Sequence, residues 1–243
     1  MMRDFLRVAS RLKKREINKS AFNGGLANCF HLNQTTLTFI RDPWEMVVSG
    51  YLYHLSSQEP TMKTPGRGRM LLHGYMTYDD TYQKYLNRVD ERTGLMTTFS
   101  RMNGDITRMV VDYRFNQARA KNTPYKAAAF CMHDFEKDFN GTAYRLGQHL
   151  DVDPEEFVRR SQHINLNKVV ASDTFAARTH VNRDSKSMEH KKRLLKLLED
   201  DLVARAVLDE MRVLLDMSCV STLAPPYHPY KTLANDGVPV GLC

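Results

Sequence analysis

The chain has 243 residues, 42% of them hydrophobic, and 35 Lys plus Arg set against 28 Asp plus Glu give a formal charge of +7. That is enough apolar material for one large core, and the basic balance favours anionic partners. No run approaches the ~18 apolar residues of a membrane span, and the charged opening MMRDFLRVASRLKKREINKS lacks the apolar stretch of a signal peptide, so the chain as written reads as soluble. Cys29, Cys131, Cys219 and Cys243 are too few and too scattered for a disulfide framework, and no pair has metal-ligand spacing.

In chain order, residues 4–16 read as a short basic amphipathic surface helix with Phe5, Val8 and Leu12 on one side. Asn23-Gly24-Gly25 breaks the chain before Thr36 to Ile40, a β-branched and apolar run suited to a central strand. Asp42 is placed to cap the next helix and Pro43 to sit in its first turn. Trp44, Val47, Val48, Tyr51, Leu52 and Leu55 then recur on one apolar face, with Glu45, Ser49 and Tyr53 on another. Ser56 to Arg69 suits a loop over a site. Residues 78–90 and 98–119 have helical periodicity, the second carrying the core stripe Met102, Ile106, Met109, Val110 and Tyr113.

Tyr125 to Met132 reads as a second buried strand, with Cys131 as a small buried residue. A turn is expected at Asn140-Gly141, then an amphipathic helix using Tyr144, Leu146 and Leu150, then a helix start at Asp153-Pro154. A long leucine-rich helix is expected over 187–216, its HKKR segment on the exposed face, followed by an extended arm after Ser218. The basic clusters, Arg11 to Arg15, Lys63 to Arg69, Arg114 to Lys126 and Lys186 to Lys196, read as solvated faces. A nucleic-acid partner is not expected, because no recognition motif or aromatic-interleaved basic stripe occurs.

The segment TFIRDPWEMVVSGYLYH, residues 38–54, delivers Arg41 from the carboxyl end of a strand to the start of a helix and sets Ser49 two turns further on. A planar five-donor fork, a hydroxyl and a helix N-terminus together suit a phosphate monoester. This R-D-P, the serine eight residues after the arginine and the Y-x-Y-H tail resemble the 3′-phosphate-binding motif of sulfotransferases that use 3′-phosphoadenosine 5′-phosphosulfate (PAPS). The resemblance runs from about residue 30 to 216 and implies a three-layer α/β fold with a central parallel sheet, of the P-loop NTPase-like sulfotransferase type. Residues 1–29 then form a basic N-terminal segment and 217–243 a Pro/Gly-containing tail.

By resemblance, Arg41 and Ser49 grip the nucleotide's 3′-phosphate. Arg183 and Lys186 fall in the late segment that closes over it, although the family's R-K-G and G-D-W elements are absent there. His31, shortly upstream of the motif, is the candidate base. The donor implied is PAPS, with no metal, and the acceptor a hydroxyl or amine on a glycan or small molecule. The family's Y-E-D-L is replaced here by Met132, His133, Asp134 and Phe135. Its K-x-G-T-T loop for the 5′-phosphosulfate is not found, nor is a Walker motif or a G-x-G-x-x-G. The expectation is therefore either a truncated, inactive enzyme or a non-catalytic module that binds 3′-phosphoadenosine or polyanions. The Golgi lumen is implied if an N-terminal anchor is missing, and the cytoplasm otherwise.

Overall fold

The run Thr36–Ile40 forms strand β1, and Ala127–Cys131 forms strand β2. The two pair in parallel, Thr36 opposite Ala127 and Ile40 opposite Cys131. The structure, a computed structural model, describes residues 2–13, 36–56, 81–122, 126–164, 185–221 and 223–226. Among them the sheet has these two strands, and the helices are α1 (Met2–Lys13), α2 (Pro43–Ser56), α3 (Tyr82–Arg88), α4 (Glu91–Asn122), α5 (Met132–Lys137), α6 (Phe139–His149), α7 (Pro154–Ser161), α8 (Ser185–Glu199) and α9 (Leu202–Leu214), with a 3-10 turn at Gln162–Ile164.

Alternation along the strands sends successive side chains to opposite faces. Leu37, Phe39, Ala128 and Phe130 join Phe5, Val8 and Ala9 of α1, Phe139 and Leu146 of α6 and Phe157 of α7. Ile40, Ala129 and Cys131 instead meet Val110 and Tyr113 of α4 and Leu215 beyond α9. The strand pair thus lies between two helical layers. A larger cluster gathers Trp44, Val47, Val48 and Tyr51 of α2, Tyr82 and Leu86 of α3, Ile106 of α4, Leu194 and Leu198 of α8 and Leu208 of α9. Phe5 is fully buried while Arg7, Arg11 and Lys13 are exposed, so α1 is an amphipathic surface helix whose apolar side packs into the core.

Local chemistry sets the helix boundaries. Asp42 Oδ1 accepts from Trp44 N at 2.9 Å, and the Asp42 carbonyl accepts from Met46 N at 2.9 Å, which starts α2 at Pro43. α4 begins well before residue 98, because the Asp90 carboxylate takes the Thr93 N–H at 2.9 Å. α2 and α4 approach closely at Gly50, where a Cβ would collide with Met102 Sδ. Asp153 caps α7 through Glu156 N at 2.9 Å.

Three expectations are corrected. Asn140-Gly141 is no turn: both lie in α6, whose cap is Asp138 Oδ1 accepting from Gly141 N at 2.9 Å, and the missing Cβ leaves room for that carboxylate. Tyr144 is 39% exposed, so α6 packs through Leu146 without it. The span 187–216 is two helices, interrupted where Asp201 accepts from Ala204 N at 3.0 Å and starts α9 afresh. In the first of them the HKKR segment does lie towards the exposed face, with Lys192 and Arg193 exposed, while His190 and Arg193 contact Glu91 of α4 at 2.6 and 2.8 Å.

Cys131 is buried, as expected, and forms a disulfide with Cys219, their Cα atoms 5.3 Å apart, a pairing not expected from the sequence. Their separation of 88 residues left no spacing signal. The bond holds the chain after α9 against the end of β2, where Cys219 and Ser221 are buried. The start of the expected arm is therefore anchored in the core.

Candidate anion site at the end of strand β1

Arg41 follows the last residue of β1, and its side chain is about one-third exposed, at 35%. Arg41 Nη2 donates to Ser49 Oγ at 2.8 Å and to Glu45 Oε2 at 3.4 Å. The three residues lie one helical turn apart in sequence, at i, i+4 and i+8, and α2 carries Glu45 and Ser49 on its side facing Arg41. Among the described residues, Arg41 Nη1 and Nε have no protein partner. Part of a rigid donor fork is thus held in place by its other nitrogen, which is how a receptor for a planar or tetrahedral oxyanion is preorganised.

The helix end contributes less than the sequence suggests. Pro43 has no N–H, and the Trp44 N–H is spent on Asp42. What α2 offers an anion is mainly its dipole. Asp42 itself is fully buried, and so is Arg212 of α9, whose Nη2 reaches Asp42 Oδ2 at 2.9 Å. The same carboxylate oxygen accepts from Ser221 N at 2.6 Å. Arg212 also donates to the Pro225 carbonyl at 2.7 Å and lies over the Trp44 ring, 5.4 Å from its centroid. Trp44 Nε1 in turn donates to Asp209 at 3.1 Å. This network fixes the start of α2, and hence the spacing of Arg41, Glu45 and Ser49.

Glu45 is only 6% exposed, which the sequence did not suggest for a residue on the polar side of α2. Ser221 Oγ donates to its Oε1 at 2.6 Å, leaving Oε2 towards Arg41. His133, at the start of α5, stands on the other side of that carboxylate, with Nε2 4.0 Å from Glu45 Oε2 and Nδ1 3.2 Å from Glu136 Oε2. His133 is also 6% exposed, and among the described residues its Nε2 has no hydrogen-bond partner. The sequence marked His133 only as a departure from the family pattern. Contacts from residue 45 to residues 133 and 221 leave no local periodicity to read.

Beside the strand ends, on the α4 side, a cavity of about 260 Å³ is lined by Ile40, Tyr113, Gln117, Cys131, Asp134 and Ser218. Its wall is held by Gln117, which donates to Tyr113 Oη at 2.7 Å and Asp216 Oδ2 at 2.6 Å. The Gln117 hydrogen bond, with Tyr113 and Arg114, keeps the Asp216 carboxyl below its usual range. Burial pushes the Tyr113 phenol up.

The structure therefore brings Arg41 and Ser49 into direct contact. His31 and Arg183 lie outside the described residues. Lys186 falls in the first turn of α8, with its side chain outside them. Among the described residues, no group of three or more His, Cys, Asp or Glu side chains is placed to hold a metal. No described helix is long and apolar enough to cross a membrane. No family model, curated protein or solved structure matches the chain.

Proposed function

We propose that Arg41 and Ser49 hold the 3′-phosphate of a 3′-phosphoadenosine nucleotide, and that the chain is a PAPS-dependent sulfotransferase domain of the three-layer, parallel-sheet type. The observation that carries this reading is the Arg41 Nη2 to Ser49 Oγ hydrogen bond of 2.8 Å at the carboxyl end of a parallel strand. Open α/β sheets bind ligands at that end. Arg41 Nε and Nη1 donate to the phosphate, Ser49 adds a hydroxyl, and the α2 dipole favours the negative charge.

The reaction is in-line displacement at sulfur. The acceptor, a hydroxyl or amine of a small molecule or carbohydrate, loses its proton to a base and forms the new bond to sulfur, while 3′-phosphoadenosine 5′-phosphate leaves with the electron pair of the broken S–O bond. The residues described here bind and orient the nucleotide. The Cys131–Cys219 disulfide supports an oxidising compartment such as the Golgi lumen.

The test is a thermal-shift comparison of 3′-phosphoadenosine 5′-phosphate with adenosine 5′-phosphate. Ligand binding to the folded state raises its stability by mass action, so only the first nucleotide should give a large shift. Arg41→Ala should abolish the difference while leaving the far-ultraviolet spectrum unchanged. Equal shifts for the two nucleotides would overturn the reading.

A further inference from the structure

The gap between His133 Nε2 and Glu45 Oε2 is 4.0 Å. That is too long for a direct hydrogen bond and matches the span of two hydrogen bonds meeting at one bridging oxygen. Two groups face the gap with complementary needs. The Glu45 carboxylate is acceptor-only, and an imidazole nitrogen donates or accepts according to its tautomer. A hydroxyl oxygen serves both when the ring is an imidazolium, whose Nδ1–H donates to Glu136 Oε2 at 3.2 Å and whose Nε2–H donates to the hydroxyl, which passes its own proton towards Glu45. A phosphate oxygen does not, because Glu45 repels it.

Burial makes the gap informative. His133 and Glu45 are each only 6% exposed, and among the described residues Nε2 has no partner, an arrangement that costs stability unless a ligand or a water completes it. The charged groups facing His133 among the described residues are Glu45 on α2 and Glu136 on its own helix. Arg41 reaches the gap only through Glu45 Oε2, at 3.4 Å.

We infer that His133 and Glu45 form a subsite for a sugar hydroxyl adjacent to the bound phosphate, which makes His133 a specificity-determining residue that selects ribonucleotides over 2′-deoxyribonucleotides. The inference rests on the reading of Arg41 and Ser49 as the 3′-phosphate site. In such a nucleotide the free 2′-hydroxyl is the vicinal neighbour of the 3′-phosphate, as Glu45 is the immediate neighbour of Ser49 on Arg41 Nη2.

The experiment is calorimetric titration of the full chain with 3′-phosphoadenosine 5′-phosphate and with its 2′-deoxy analogue. The deoxy compound should bind about 10- to 100-fold more weakly, as expected for losing a hydrogen bond to a charged group. His133→Asn, whose amide does not extend to the Nε2 position, should bind both nucleotides alike. His133→Gln, whose amide does, should restore discrimination. Equal affinities in the unmodified protein would overturn the subsite, leaving the gap to a water, while the phosphate reading stands. No binding of either nucleotide would overturn the phosphate reading and the subsite with it. The comparison of the two ligands on the unmodified chain needs no variant to fold.

Discussion

Replacing Asp42 with alanine tests whether the buried network really sets the start of α2. The side chain is fully buried and accepts from Arg212, from Ser221 N and from Trp44 N. Its removal takes from the equally buried Arg212 guanidinium its nearer carboxylate and leaves it Asp209 at 3.6 Å, and breaking such a buried pair from one side costs about 3–5 kcal/mol. Loss of the helix cap adds about 0.5–2 kcal/mol. Because the two effects share one carboxylate, a combined loss of about 4–6 kcal/mol is expected, against a total stability of about 5–15 kcal/mol for a domain. Urea unfolding followed by circular dichroism measures it. Asp42→Asn, which keeps an oxygen for the cap, should lose less than Asp42→Ala. In the double variant Asp42→Ala/Arg212→Met the losses should fall short of the sum of the singles by more than ~1 kcal/mol, since neither partner is left charged and alone. A single-variant loss below ~1 kcal/mol, or strict additivity, would refute the reasoning.

Two further outcomes follow from the packing. Cys219→Ser should lower stability by about 2–5 kcal/mol, since a closure of 88 residues restrains the unfolded chain strongly; non-reducing proteolysis with mass spectrometry should recover a Cys131 peptide joined to a Cys219 peptide, and their separate recovery would show that the bond does not form. Burial alone would raise the Glu91 carboxyl, but hydrogen bonds from Arg193 and His190 outweigh it and hold the group below its ordinary value. Such a depressed carboxyl contributes stability that is full above the unfolded value near ~4.3 and is lost as pH falls through the folded one, so the Tm advantage of the native chain over Glu91→Gln should shrink as pH is lowered from 5 to 3, and a constant difference would remove Glu91 from the account.

The elements that follow a local period were legible in the sequence. β1, the Asp42 cap, Pro43 at the first turn and the buried side of α2 all declare themselves within a few residues of one another. The 3.6-residue stripe of α4 was equally plain, because Ile106, Val110 and Tyr113 face the core at regular spacing. Boundaries fared worse where one side chain decided them. Asp201 restarts a helix inside what reads as a continuous leucine pattern, and Asp138 turns Asn140-Gly141 into helix by filling the space the glycine leaves. Of the candidate site, the Arg41 and Ser49 contact was visible because it spans eight residues. Glu45, His133 and Ser221 were not, because their meeting depends on tertiary closure of segments that share no sequence signal.

The parallel pairing of β1 with β2 also bears on how the chain reaches its native state. Thr36 meets Ala127 only after α2, α3 and α4 have been laid down between them, so the strand pair is a high-contact-order element that repays its loop-closure entropy late. The helices can form from neighbouring residues, whereas Arg41 acquires its place at a strand end only when β2 docks. During synthesis the site therefore cannot assemble until Cys131 has left the ribosome, and the segment carrying Cys219 and Ser221, which pins Asp42 and Glu45, arrives later still. Until that last segment docks, Arg212 and Asp42 lack part of their final surroundings, and the candidate site has its arginine before it has its rigidity.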